Sequence, residues 1–307
     1  MTRPQVGDFE VTTGALFDSL VTTGSPELRQ VRQFAFGDSS EFEGKYYSDR
    51  NPGLAFFTYA FFETTKALER WMKPLNLDPK FARSYTKGQK TRITLVMVVP
   101  ALFGGLVFLG TFFLSRELGV GYFSAMASSL ALMFGTIMIR YSTVFYSHIF
   151  ATGLLIYSLL IVFSYKRRKS VNLLSIGIFL LSFAVFTEHL TVLVFVPVIV
   201  YLSVQNSEDL LRFSSIVKLL VAGLLPMSAL MMYNWICFSS PFSIAHFHHA
   251  TDTSNHALGT LLHFDQTLAA AKNLLFGAPK AVVGRQDLVG LFSSSPFLYL
   301  VLLFPLI

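Results

Sequence analysis

The sequence predicts an all-α protein, a polytopic membrane helix bundle with an extracytoplasmic N-terminal loop segment that carries amphipathic interfacial helices. Composition is the first reason. Of 307 residues, 53% are hydrophobic and 14% charged, with a mean hydropathy of +0.55; a soluble domain is about 45–50% apolar and roughly 25% charged. The second reason is patterning, because seven long apolar windows follow residue 92. The third is placement: polar residues gather in the first 92 positions and in runs between windows. The formal charge of +6 is read through loop sidedness, and no basic stripe interleaved with aromatics points to nucleic acid. The single cysteine, Cys237, excludes a disulfide framework and a cysteine metal site. The first 50 residues contain no apolar run of the kind a cleavable signal needs.

Residues 1–92 form the first unit. Phe9, Leu16 and Leu20 share one helix face, which predicts a short amphipathic helix from Asp8 to Thr23 ended by Gly24. Turn signals follow at Gly24-Ser25-Pro26 and Gly37-Asp38-Ser39-Ser40. Asn51-Pro52 reads as the N-cap and first residue of a helix running on from Leu54. Its aromatic, apolar character and short length place it along a membrane interface.

Residues 93–307 hold the windows Ile93–Leu114, Gly121–Ile139, Thr143–Tyr165, Val171–Thr187, Leu190–Val204, Leu219–Phe238 and Leu291–Ile307. A span takes about 20 residues, which the first three and the sixth supply. Read as one helix, Val171–Val204 would extend about 51 Å and set Glu188-His189 at its centre, where charge costs a few kcal/mol. Two short spans turning at Glu188-His189 remove both difficulties.

Loop charges then set the sides. Arg116, Lys166 to Lys169, Arg212 and Lys218 fall on one side and Arg140 on the other, so the first side is cytoplasmic. Residues 1–92, the Arg140–His148 loop, Glu188-His189 and the long loop 239–290 become extracytoplasmic. A polar N-terminal segment must then cross without a span ahead of it, and the sequence stops at Ile307 inside an apolar run. The expectation is a fragment that lacks an upstream transmembrane helix.

Three motifs fall in a recognisable order among these windows: Gly7-Asp8-Phe9-Glu10, then Tyr47-Ser48-Asp49-Arg50-Asn51-Pro52-Gly53-Leu54, then Tyr233-Asn234-Trp235 with Ser239-Ser240-Pro241-Phe242, followed by Gly290 to Phe297. The pattern resembles the GT-C superfamily of membrane glycosyltransferases, in particular the group with the protein O-mannosyltransferases, the aminoarabinose transferases and the RgtA/B/C/D-like domain. Arg50-Asn51-Pro52 stands where relatives often have Lys-Pro-Pro. The resemblance implies an integral plasma-membrane enzyme that moves a sugar from a polyprenyl-phosphate donor to the hydroxyl of a lipid, glycan or protein acceptor outside the cytoplasm. It implies a catalytic carboxylate, Asp8 or Glu10, that takes the acceptor's proton or holds a divalent cation (Mg or Mn) near the donor phosphate.

Residue chemistry adds the remaining assignments. Arg50 and the helix start at Asn51 make a phosphate site, since a guanidinium fork and unpaired N–H groups both match phosphate oxygens. Arg285 is a second candidate for the lipid phosphate. Tyr47, Asp49, Arg140, His148 and Glu188 are expected to line the site, because each falls at the same membrane face. His248, Asp252 and His256 would share a helix face suited to zinc, but Thr251, Thr253, Ser254 and Asn255 argue for a loop there. No metal ligand is assigned, and the histidine-rich stretch is read as a rim over the acceptor cleft. The rival function is a multi-pass transporter or flippase for a lipid-linked or anionic solute. Near charge-free spans and the lack of repeated halves favour chemistry at one face over passage.

Overall fold

Helices in this chain start and stop where apolar runs meet glycine, proline or short polar breaks. A computed structural model describes residues 11–28, 39–67, 92, 94, 96–204, 208–243 and 245–248. The first helix, α1 (Val11–Thr23), buries Leu16, Phe17 and Leu20. It ends as the spacing predicts: Gly24 takes a φ of +67°, a left-handed conformation that glycine adopts without penalty, and its N–H bonds the Leu20 carbonyl. Phe9 lies outside the described residues.

The chain is mostly helical, but residues 39–48 form two short strands, which departs from the all-α expectation; Gly37 and Asp38 of the predicted turn lie outside the described residues. Strand β1 (Ser39–Phe42) pairs antiparallel with β2 (Lys45–Ser48), Ser39 opposite Ser48 and Phe42 opposite Lys45. The two loop residues Glu43 and Gly44 have φ of +51° and +73°, as a hairpin turn matched to strand twist requires. Glutamate is a poor choice for that conformation, and without Asn or Asp the turn signal is lost. Glu43→Asn is expected to raise stability by about 1 kcal/mol, read as a higher denaturation midpoint; an unchanged or lower midpoint would argue against strain at Glu43. A lone hairpin is marginal. This one is held by packing, with the Tyr47 and Phe42 rings edge-on to Phe238 at 5.5 and 6.1 Å. Ser40 Oγ donates to the Ala245 carbonyl at 2.6 Å, and the Leu28 N–H to Tyr46 at 2.8 Å.

Helix α2 (Gly53–Thr65) starts one residue later than expected. Pro52 occupies the cap position, and the Asn51 side chain donates to the Val185 carbonyl at 2.8 Å instead of capping. Leu54, Ala55, Thr58 and Phe62 are buried, and Phe57 meets the rings of Phe103 and Phe150 at 5.7 and 4.8 Å. The aromatic run that predicts an interfacial helix is thus largely taken up by packing within the protein.

The remaining α-helices among the described residues are α3 (Val98–Glu117), α4 (Tyr122–Phe134), α5 (Met138–Tyr141), α6 (Ser147–Arg168), α7 (Val171–Thr187), α8 (Phe195–Val204), α9 (Glu208–Leu211) and α10 (Phe213–Phe238). They pack in the order α4, α3, α6, α7, α10. Small residues let the backbones approach: a Cβ on Gly153 would fall 2.8 Å from the Phe103 ring, and one on Gly110 2.7 Å from Ile156. Between α6 and α7 the chain reverses at Lys169, φ +50°, and Ser170 Oγ then accepts the Leu173 N–H at 3.3 Å as an N-cap. Lys166, Arg167 and Arg168 close α6, where cations oppose the helix dipole.

Among the described residues three helices are long and apolar enough to cross a membrane: Val98–Glu117, Ser147–Arg168 and Phe213–Phe238. At 1.5 Å per residue they measure about 30–39 Å against a hydrocarbon core of about 30 Å. In its most apolar window α10 is 11% buried and α6 50%. Leu220, Val221, Leu224 and Leu225 of α10 are therefore exposed as one continuous apolar flank, the kind of surface that suggests a membrane protein.

The window Gly121–Ile139 is corrected: α4 is 13 residues long, about 20 Å, and stops at Gly135. There Thr136 Oγ1 bonds the Leu132 carbonyl and accepts the Met138 N–H, so polar side-chain bonds replace the helical ladder. The predicted break at Glu188 is present. Glu188 is extended (φ −141°, ψ 108°), and a 3-10 turn, His189–Val194, leads into α8. The chain then doubles back, bringing Tyr201 edge-on to Phe163 of α6 at 5.0 Å. The window Leu291–Ile307 lies outside the described residues.

Candidate functional site

Three segments meet at one end of the helical layer: the link from Ser48 to Gly53, the first turn of α6, and the end of α7. Two contacts make them meet. One is the Asn51 to Val185 hydrogen bond. The other is the seating of Gly53 on α7, where a Cβ would lie 2.4 Å from Thr187 Oγ1 and 2.8 Å from both Phe186 O and Thr187 Cα. Any side chain at Gly53 would push α2 off α7. Arg50 and Asn51 are therefore held next to the segment that carries Glu188.

Glu188 organises the far side. Its Oε1 accepts from Ser147 Oγ at 2.5 Å and lies 3.0 Å from His148 Nδ1. A carboxylate on Nδ1 fixes the imidazole tautomer and leaves Nε2 as the basic nitrogen. The Tyr146 ring stacks on His148 with centroids 6.0 Å apart, and Tyr141 meets it edge-on at 5.0 Å. The histidine side chain is 41% exposed and the glutamate 18%, so the ring faces outward with its carboxylate behind it.

Burial alone would push the Glu188 carboxyl up. The hydrogen bonds from His148 and Ser147, together with the charges of His148 and His189, outweigh it and hold the group below its ordinary value of 4.5. A depressed folded-state pKa stabilises the fold above the unfolded value, and that contribution is lost as pH falls through the folded one. Wild type is therefore expected to lose stability on acidification from about pH 4.5 downward, and Glu188→Gln to show a flatter acid limb; parallel limbs in pH-dependent unfolding would argue against it.

Asp49 anchors the near side. It is buried, accepts from Thr12 Oγ1 at 3.0 Å, and its second oxygen lies 3.6 Å from Arg50 Nε. A buried carboxylate is costly unless partnered; of these partners Arg50 is its chain neighbour and Thr12 comes from α1, 37 residues away. The Arg50 side chain is 42% exposed beside it. The helix α2 that follows has no acidic residue in its first turn, and that turn is buried against α7 at Gly53, Leu54 and Ala55, so Arg50 is the anion-matching group at this end.

No family model, curated protein or solved structure matches this chain.

Of the residues expected to bind the phosphate, Arg50 and Asn51 belong to the segments that meet here, as do Asp49, His148 and Glu188 of those expected to line the site. Arg140 is exposed at the end of α5, next to Tyr141. Tyr47 is buried against Phe238, so it is part of the core and not of a rim. Asp8, Glu10 and Arg285 lie outside the described residues. Thr12, two residues after Glu10, is the point at which α1 reaches Asp49. His248 is the one member of the zinc trio described, and it is taken up in packing: its ring stacks on Phe238 at 4.8 Å and its Nε2 pairs with Ser243 Oγ at 2.7 Å. Among the described residues no group of three or more His, Cys, Asp or Glu side chains is placed to hold a metal ion. Asp49 and Glu188 each accept bonds from protein donors, and Asp8 and Glu10, the carboxylates expected to hold a divalent cation, lie outside the described residues.

Sequence reasoning missed three residues. Ser147 bonds Glu188, Thr12 bonds Asp49, and Tyr233 lies buried among Tyr47, Asp49 and Cys237. For Ser147 the available signal was its place ahead of His148 at a span's start; for Tyr233, its place in the third motif.

Proposed function

We propose that this chain is a polytopic plasma-membrane glycosyltransferase of GT-C type, acting at its extracytoplasmic face. It transfers a sugar from a polyprenyl-phosphate donor to the hydroxyl of a lipid, glycan or protein acceptor. The observation that carries the reading is the pinning of Arg50, through Asn51 and Gly53, to the end of α7 that bears the Glu188–His148 pair. An anion-binding group and a proton acceptor thus belong to one end of a set of apolar helices.

In the reaction, the acceptor oxygen bonds to the anomeric carbon as the bond from that carbon to the donor phosphate oxygen breaks. Negative charge grows on the departing phosphate, and the Arg50 guanidinium, steered by Asp49, stabilises it. The acceptor's proton passes to His148 Nε2, and Glu188 compensates the imidazolium that forms. The motif-based alternative for that proton is Asp8. The reading puts this end outside the cytoplasm, and the basic run Lys166 to Lys169 at the other end of α6 supports it.

The test is incubation of membranes carrying the chain with radiolabelled polyprenyl-phosphate sugars. Label is expected on a new acceptor. Accumulation of label inside sealed vesicles without transfer would overturn the enzyme reading in favour of transport. Asp8→Asn is expected to abolish transfer with insertion intact if the motif supplies the base, and to leave it largely unchanged if His148 does.

A further inference from the structure

The opposite end of α6 carries a second constellation, on the order of 30 Å from His148 at 1.5 Å per residue. There α3, α6 and α7 border a cavity of about 430 Å³ lined by Arg116, Glu117, Arg167 and Arg168 on its polar side and by Phe113 and Leu173 on its apolar side. Arg167 Nη2 pairs with Glu117 Oε2 at 2.6 Å, and Arg116 Nη1 donates to the Val120 carbonyl at 2.9 Å. Three guanidinium groups against one carboxylate leave the cavity with a net charge of two positives. The apolar wall continues outward, because Phe113 and Leu109, one turn apart on α3, are both about half exposed, at 49% and 46%.

We propose that this cavity binds an anionic phospholipid from the inner leaflet, its phosphate among the three arginines and its acyl chain along Phe113 and Leu109. The inference rests on the reading of α3 and α6 as membrane spans. Guanidinium forks match phosphate oxygens, and a basic pocket between spans at the cytoplasmic end meets anionic headgroups at their own depth. A free phosphate shares the polar chemistry but has no use for the apolar wall, so the lipid is the occupant.

The chain is reconstituted in vesicles of phosphatidylcholine with or without phosphatidylglycerol, and retained lipids are counted by native mass spectrometry. Phosphatidylglycerol is expected to be retained in preference to phosphatidylcholine. Arg116→Gln with Arg167→Gln is expected to lower that preference by about tenfold or more. Arg168→Gln leaves the Arg167–Glu117 pair intact, and is expected to lower it by a smaller factor in a protein that folds normally. Equal retention of both lipids, or no loss in either variant, would overturn the proposal. So would displacement of phosphatidylglycerol by glycerol phosphate at equal concentration, which would mark a site for soluble anions. Carbonate extraction separates the two readings: a chain released from the membrane ends both, whereas an embedded chain without lipid preference ends only this one.

Discussion

Membranes carrying His148→Ala are expected to transfer sugar about 10²–10⁴-fold more slowly than wild type, the range typical for losing a positioned proton acceptor. Thermal stability should fall too, by about 1–3 kcal/mol, because the mostly buried Glu188 loses a bonded partner, so transfer is compared at a temperature where both proteins are folded. The effect should fall on turnover rather than on donor affinity, since the imidazole acts on the acceptor. Glu188→Ala should match or exceed this deficit, because it removes the partner that orients His148 and leaves Ser147 Oγ without its acceptor. A His148→Ala protein that transfers at the wild-type rate would remove the pair from the mechanism.

The second large effect is structural. Gly53→Ala is expected to destabilise the protein by about 1–3 kcal/mol, the usual cost of overpacking a tight site. Two of the three atoms a new methyl would strike are backbone atoms of Phe186 and Thr187, which cannot rotate aside. Transfer should fall as well, because shifting α2 moves Arg50 away from Glu188. Gly105→Ala is the control: a Cβ there meets nothing within 4 Å, and replacing a helical glycine with alanine gains about 0.5–1 kcal/mol. Equal denaturation midpoints for the two variants would show that the Gly53 contact has no energetic weight.

Much of the architecture was legible because its causes are local. Leu16 and Leu20 on one face, Gly24 at a helix end and Glu188 at a break each follow from spacing, backbone freedom or charge in an apolar run. The misses have non-local causes. The β-hairpin turns on Glu43, which the strand pairing and the packing on Phe238 hold at positive φ against its own preference. Asn51 reads as a cap from its neighbours, yet its amide is claimed by Val185, 134 residues away. Tyr47 reads as a residue lining the site until Phe238 covers it. For the site, polarity at span ends was enough to mark His148 and Glu188. Their pairing was not legible, since it depends on how α6 and α7 align.

The bond from Asn51 to Val185 carries a further consequence. The last carbonyls of any helix lack partners within it, and at the end of α7 one of them is satisfied by a side chain from the far upstream, polar part of the chain. The sequence divides at residue 92 into a water-loving piece and an oily one, yet neither is finished alone. Severing them would let the end of α7 fray, so the two pieces should melt together, as a single cooperative transition.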